Sequence, residues 1–337
     1  MSLPGTVVAI VGSTASGKSA LAELVAEHLG SAVVSVDSMQ VYRGMDVGTA
    51  KTPAASRRVP LLMVDVADPT EDYSVQRFQA EARGCVDGLL AAGRVPVLCG
   101  GTGLYLDAVI DQMDFPAGAR GGEARGRYEA LLAAEGPEAL HALLAARDPQ
   151  SAALIHPHNS RRVVRALEMG DQGVSYAAQH EGLRARAPRY DARIWAVELP
   201  RELLYERIDA RVDAMMAAGL EDEVRALAQG GLTRDSTAGQ AIGYKELLAA
   251  QAGECTTAEA VATIKARTRR YAKRQLSWLR RDGRARWVDG LATTPEEAAC
   301  LIVEDALGEG DAAASVTKVT VTTVRDAPVM DASGEVA

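Results

Sequence analysis

Gly12-Ser13-Thr14-Ala15-Ser16-Gly17-Lys18-Ser19 matches the pattern G-x-x-x-x-G-K-[ST], and the reading of the whole chain turns on it. In that pattern the glycines let successive backbone N–H groups converge on phosphate oxygens. Lys18 supplies a positive charge and the Ser19 hydroxyl can ligate Mg²⁺. The flanks have the order this mechanism needs. Val7-Val8-Ala9-Ile10-Val11 is a short apolar run of strand type, and Leu21, Leu24, Val25 and Leu29 recur at helical spacing. The helix N-terminus is thereby aimed at the anion.

Around this loop lies a chain of 337 residues, 47% hydrophobic, enough for one large or two modest domains. No apolar segment approaches the roughly 20 residues that span a bilayer, and no basic segment precedes a long apolar run near the N-terminus. A cytoplasmic protein is expected. Cys85, Cys99, Cys255 and Cys300 form no C-x-x-C pair, so buried thiols are expected rather than zinc or a redox motif. A net charge of −8 argues on average against nucleic acid, but local blocks of Lys and Arg matter more.

A second strand, Ala32 to Val36, runs into Asp37-Ser38-Met39-Gln40. In open α/β sheets ligands bind beyond the carboxyl ends of strands, so Asp37 can serve as a proton acceptor, or equally as a turn or cap residue. Gly44 to Lys51 suits a loop folded over the phosphate site. A third strand is expected over Val59–Val66, then a helix from about Ser74. A fourth, Val95 to Cys99, leads into Gly100-Gly101-Thr102-Gly103, where glycines allow close backbone approach and Thr102 presents a hydroxyl. This strand does not end in the acid an ATP hydrolase places there, and Asp65 is only a weak substitute. The fold class is therefore α/β, a P-loop NTPase-like parallel sheet with flanking helices.

Further along, Pro116 to Arg127 is rich in Gly and Arg, and Tyr128–Leu132 and Leu140–Leu144 read as helices. Asn159 reads as the cap of another helix carrying Arg161, Arg162 and Arg165 near its start, where positive charge opposes the helix dipole. A phosphate partner explains these better than a solvated surface does, although the surface reading stays open. After a strand over Ile194–Leu199, Arg207 and Arg211 share a face of the helix beginning near Glu202. They can add charge to a diphosphate or form an exposed pair. Lys265 to Arg281 is basic with Tyr271 and Trp278 interleaved, suited to a nucleic-acid backbone with both rings packed in the core. Beyond Gly308 a mobile tail is expected, with a short strand conceivable over Val316–Val324.

Taken together, the loop Gly12–Ser19, Asp37-Ser38, Gly44–Lys51 and Gly100–Tyr105 resemble the tRNA dimethylallyltransferase family. So do Ile155-His156-Pro157, Arg165–Glu168, Ala241–Tyr244 and Thr268–Trp278, and the likeness runs to about Trp287. It departs at Leu61-Leu62, where a His pair is frequent, and at Ser13, where Pro is common. The resemblance implies transfer of a dimethylallyl group from its diphosphate to the N6 amine of the adenine 3′ to the anticodon, with Mg²⁺ as cofactor.

It implies Asp37 as general base and Thr102 as its assistant. Contacts to the tRNA anticodon loop are implied at Asp37, Ser38, Met39, Gln40, Thr102, Arg125, Arg161, Arg162, Val163, Val164 and Arg165. The inserted segment becomes an all-helical tRNA-binding domain. The expected layout is 1–115 and 191–308 for the core, 116–190 for the insertion and 309–337 for the tail, in a monomer. Two alternatives remain, an adenylate (AMP/ATP) isopentenyltransferase and a nucleotide or small-molecule kinase using the same loop.

Overall fold

A computed structural model describes residues 5–115, 122–182, 187–308 and 322–323. The chain divides into two compact units, one of residues 1–73, 77–110 and 188–337, the other of 74–76 and 111–187. The insertion thus begins and ends a few residues earlier than its sequence-read edges.

In the first unit the elements are β1 (Thr6–Gly12), α1 (Lys18–His28), β2 (Val33–Ser35), β3 (Leu61–Leu62), α2 (Val75–Ala91), β4 (Val97–Gly100) and α3 (Gly103–Ile110). The second unit holds α4 (Glu123–Arg147), α5 (Pro149–Leu154), α6 (Ser160–Asp171) and α7 (Tyr176–Gly182). The first then resumes with β5 (Asp191–Glu198), α8 (Arg201–Ala217), α9 (Leu220–Gln229), α10 (Tyr244–Gln251), α11 (Thr257–Leu279), β6 (Arg286–Asp289), α12 (Pro295–Leu307) and β7 (Thr322–Thr323).

The sheet order is β3-β2-β4-β1-β5-β6-β7. All neighbours are parallel except β7, which pairs antiparallel with β6. β1 is central, with Ile10 opposite Cys99 on one side and Trp195 on the other. Such a strand is covered on both faces, which explains its unbroken apolar run. One face is closed by Leu21, Ala22 and Val25 of α1 packed with Ala298, Ala299 and Ile302 of α12. Helix starts are set by side chains: Thr256 with Glu259, and Thr294 with Glu297, form capping boxes on α11 and α12.

Several expectations change. The third strand is only Leu61–Leu62, because Met63 (φ 61°) and Asp65 (φ 58°) turn left-handed and end the extended run. Of the four cysteines only Cys99 is buried, Cys85 and Cys255 being partly covered and Cys300 exposed. The tail and its conceivable strand lie outside the described residues except for Thr322–Thr323.

The second unit has its own core, with Tyr128, Leu140, Leu144, Val163, Val164 and Leu167 buried together. α4 is two helices broken at Gly136 (φ 85°), just before Pro137, which cannot continue a helix. Asp148 caps α5 by accepting from Ser151 N–H at 3.0 Å. Asn159 stands at the N-cap of α6 but its side chain makes no capping bond, so the expected polar cap is absent there.

Candidate active site

The phosphate loop hangs between the carboxyl end of β1 and the start of α1. Gly17 (φ 93°) makes the left-handed turn into the helix, and a Cβ on Gly12 would stand 2.7 Å from Ser16 Oγ and 3.0 Å from Val197 O. Lys18 Nζ folds back to donate to Ser13 O at 3.1 Å. Burial holds the Lys18 ammonium below the ordinary lysine range, Cys99 and Asp37 opposing the shift and Arg211 adding to it.

Asp37 lies two residues past the end of β2. Its Oδ1 accepts from Met39 N–H at 2.8 Å and Gln40 N–H at 3.4 Å, and its Oδ2 accepts no hydrogen bond among the described residues. Thr102, at the start of α3, accepts through Oγ1 from Ser38 N–H at 3.2 Å, tying the two strand-end loops together. Its carbonyl also opens the helix by accepting from Tyr105 and Leu106 N–H. The Asp37 turn is therefore present and leaves Oδ2 open, while the Thr102 hydroxyl bonds Ser38.

One cavity of about 350 Å³ collects Lys18, Asp37 and Ser38, whereas Thr102 is not among its lining residues and reaches it only through its bond to Ser38. Lys18, Ser19, Asp37 and Arg211 line it together with an apolar part made by Val33, Ile208, Val212 and Met215. The α8 contribution follows helical geometry, since Ile208, Arg211, Val212 and Met215 are spaced to share one face. Burial lowers the Arg211 guanidinium from its ordinary range, with Asp37 opposing. Arg207 is exposed and does not line the cavity.

Sequence reasoning placed Tyr271 in the core beside Trp278. Instead it lines the cavity, its hydroxyl interacting with Thr102 and Gln275, and burial pushes its phenol up to about 12. Trp278 is half-buried rather than in the core, packed against Gly103, where a Cβ would meet its ring at 2.3 Å. Gln275, one turn past Tyr271 and buried, joins the phosphate loop to the glycine loop. Its Oε1 accepts from Thr14 N–H at 3.0 Å and its Nε2 donates to Gly101 O at 2.9 Å. The i, i+4 spacing of these two polar side chains on a capped helix was the available signal for both.

The loop over the cavity contributes Gly48, Thr49 and Ala50 to its lining. Glu223 of α9 holds the loop by accepting from Asp46 N–H at 2.9 Å, Val47 N–H at 2.7 Å and Gly48 N–H at 3.1 Å, and from the Tyr244 hydroxyl at 2.5 Å. Lys51, buried, clips the other end to Asp46 at 2.8 Å and Asp65 at 2.5 Å. Asp65 is thus spent on an ion pair and does not line the cavity.

On α11, Lys265 pairs with Asp213, Arg267 with Glu246 and Arg269 with Asp209. Arg270 and Lys273 are exposed with no ion-pair partner among the described residues, while Arg274 lies over the Tyr271 ring. In the second unit Arg161 and Arg162 are exposed on α6, and Arg125 bonds Glu129 at 3.0 Å. Arg125 and Arg165 both approach the buried Glu168. Val163 and Val164 belong to the core of that unit, so their side chains are unavailable to a partner.

Compared with known families, residues 40–282 match the family described as IPP transferase, and residues 5–58 match isopentenyl transferase. The chain belongs to the IPP transferase family. It is 48% identical over 286 residues to the tRNA dimethylallyltransferase of Streptomyces coelicolor, covering 84% of this chain and 90% of that one. It is 48% identical over 290 residues to that of Thermobifida fusca, with coverage of 84% and 89%. Among solved IPP transferase structures, the tRNA isopentenylpyrophosphate transferase of Bacillus halodurans superposes with a TM-score of 0.67 at 39% identity, covering 91% and 97% of the two chains. A eukaryotic dimethylallyltransferase acting on tRNA gives 0.75 at 26%, covering 90% and 80%. The α/β fold read from sequence is thereby that of the IPP transferases.

Proposed function

We propose that the protein transfers a dimethylallyl group from dimethylallyl diphosphate to the N6 amine of the adenine 3′ to the anticodon of a tRNA, releasing diphosphate. The observation that carries this reading is the composition of one cavity: Lys18, Ser19 and Arg211 for a diphosphate, a small apolar wall for a branched allyl group, and Asp37 in the same lining. As the N6 lone pair forms the C–N bond to the allylic carbon, the C–O bond breaks and its electron pair leaves on the diphosphate. Loop amides, Lys18 and Arg211 stabilise that growing charge more than the charge of the bound reactant. The amine proton passes to Asp37 Oδ2, the carboxylate oxygen left open by the turn geometry.

The residues fit Mg²⁺ of the kind that keeps most of its shell on water and phosphate. Ser19 offers a hard oxygen at the cavity, and no cluster of three or more His, Cys, Asp or Glu competes among the described residues. Bound there, the ion neutralises charge on the leaving group.

Within the sheet-bearing unit the exposed Arg270 and Lys273 of α11 would meet RNA phosphates and the Ser38–Gln40 turn would lie by the adenine; within the insertion Arg125, Arg161, Arg162 and Arg165, with the backbone of Val163 and Val164, would be its RNA contacts. Flipping a base out of a loop costs a few kcal/mol, which such contacts offset. The proposed substrate makes the cytoplasm the working compartment; no described helix is long and apolar enough to cross a membrane. The kinase alternative is disfavoured because Asp65 is engaged by Lys51. Incubation with labelled dimethylallyl diphosphate, Mg²⁺ and, in parallel, an anticodon stem-loop, AMP or ATP tests the reading: label should enter the stem-loop. Transfer to AMP or ATP alone would overturn it.

A further inference from the structure

Glu168 follows Val164 by one turn on the buried side of α6, where the helix pattern calls for an apolar residue, and it is 5% exposed. Its charge is met from two helices. Arg125 Nε of α4 stands 3.8 Å from Oε1, and Arg165 Nη1 of α6 stands 3.7 Å from Oε2. Both separations exceed hydrogen-bond length, and Oε2 accepts no hydrogen bond among the described residues. The carboxylate therefore gathers the two guanidiniums by charge rather than by directed bonds. Neither arginine serves its own helix, since both stand near an N-terminus, where positive charge opposes the dipole. Arg125 Nε donates to the exposed Glu129 at 3.0 Å, and both of its Nη groups are without a partner among the described residues.

We propose that Glu168 is a positioning residue that holds Arg125 and Arg165 side by side as a seat for one backbone phosphate of the RNA acceptor. Two guanidiniums within 4 Å of one group repel each other, and the buried counter-charge keeps them adjacent. Because it hydrogen-bonds neither, it takes up none of their donor capacity. A phosphate can accept from both at once. This inference rests on the reading of the insertion as an RNA-binding unit.

The test is titration of the full chain with a fluorescently labelled anticodon stem-loop at several salt concentrations, for wild type and Glu168→Gln, which keeps the shape and loses the charge. A carboxylate that is only a nearby negative charge repels RNA, so its removal would tighten binding by up to about twofold and steepen the salt dependence. A positioning carboxylate gives the opposite sign. Binding should weaken about three- to tenfold, and the slope of log K against log salt should become shallower by about 0.7–0.9, the value of one phosphate contact. The loss should appear in KM for the stem-loop and not in kcat. In an Arg125→Gln/Arg165→Gln background, Glu168→Gln should change affinity by less than about twofold, since nothing is left to position. Tighter or unchanged binding by Glu168→Gln, weaker binding with an unchanged slope, or the same loss in the arginine-free background would overturn the inference, the last two by assigning the effect to packing of the insertion. Should the glutamine variant not fold, Arg125→Gln and Arg165→Gln, singly and together, decide the matter: a shared phosphate makes the second loss smaller than the first, and independent losses overturn the proposal. Failure of wild type to bind the stem-loop would reject the RNA reading itself, whereas binding that both arginine substitutions leave unchanged would overturn this inference alone.

Discussion

Glu223→Gln, which keeps the shape of the side chain, should behave as a disruptive change. The carboxylate receives four donors, two on each oxygen: Asp46 and Val47 N–H on Oε2, Gly48 N–H and the Tyr244 hydroxyl on Oε1. A carboxamide has one oxygen; with its NH₂ on the Oε1 side it can donate to the Tyr244 hydroxyl, which can turn to accept, but it still confronts Gly48 N–H. Hydrogen bonds to a charged group contribute about 1.5–3 kcal/mol each against about 0.5–1.5 for neutral ones, so one lost bond and the lost charge at the others, at the partial exposure of Glu223, cost about 2–3 kcal/mol. For a unit of this size that is a fall in Tm of about 4–10 °C. Because Gly48, Thr49 and Ala50 line the cavity, kcat/KM should fall as well, by roughly ten- to a hundredfold if the loop drifts by about an ångström. Tyr244→Phe removes a single donor and should lower Tm by less than half as much. Scanning calorimetry and initial rates with a stem-loop acceptor measure both effects. A Glu223→Gln protein melting within about 1 °C of wild type with unchanged kcat/KM would show that the Lys51 clip alone holds the loop, and the reasoning would fail.

Asp37→Asn should lower single-turnover transfer by about 10²- to 10⁴-fold with diphosphate affinity largely kept, and a turnover loss matched by lost binding would deny it the role of base. Lys18 titrates below the ordinary lysine value of 10.5, so titrations at rising pH should show diphosphate affinity fading earlier than a surface lysine would allow. The sign for folding is opposite: the folded state carries the burial penalty below the lowered pKa, so Lys18 contributes rising stability between that value and 10.5, and Lys18→Met should remove this slope in melts across that range. Gly101→Ala puts a methyl 2.1 Å from Gln275 Nε2 and 3.0 Å from Gly12 O, an overpacking cost of about 1–3 kcal/mol readable by denaturant unfolding.

What the sequence disclosed was whatever depends on local pattern. The run Val7–Val11, the glycine loop and the spacing of Leu21 and Val25 identified strand, turn and helix because each obeys a short-range rule. The third strand failed because the left-handed backbone at Met63 and Asp65, which ends it, leaves no mark on an apolar run, and the pairing of Asp65 with Lys51 lies outside the local pattern. Asp37 was legible from its place after a strand. Tyr271 was misplaced because heptad spacing describes a core face and a cavity wall equally well. Glu223 was invisible, since an acid on an amphipathic helix gives no sign that three amides of a distant loop converge on it. Similarly, Val163 and Val164 adjoin the arginines in sequence while facing the opposite side of their helix.

The chain leaves the sheet-bearing unit at Ile110 and returns to it at Pro188. There Arg189 N–H donates to Ile110 O at 2.8 Å, while just inside the insertion Gln112 N–H donates to Ala187 O at 2.8 Å. Entry and exit therefore run side by side, as the two legs of a hairpin do. A linker of about 2–5 residues from Ile110 to Pro188 would close the gap without moving either neighbour. The helical module is in this sense detachable, and a lineage could exchange it while leaving every wall of the phosphate-loop cavity untouched.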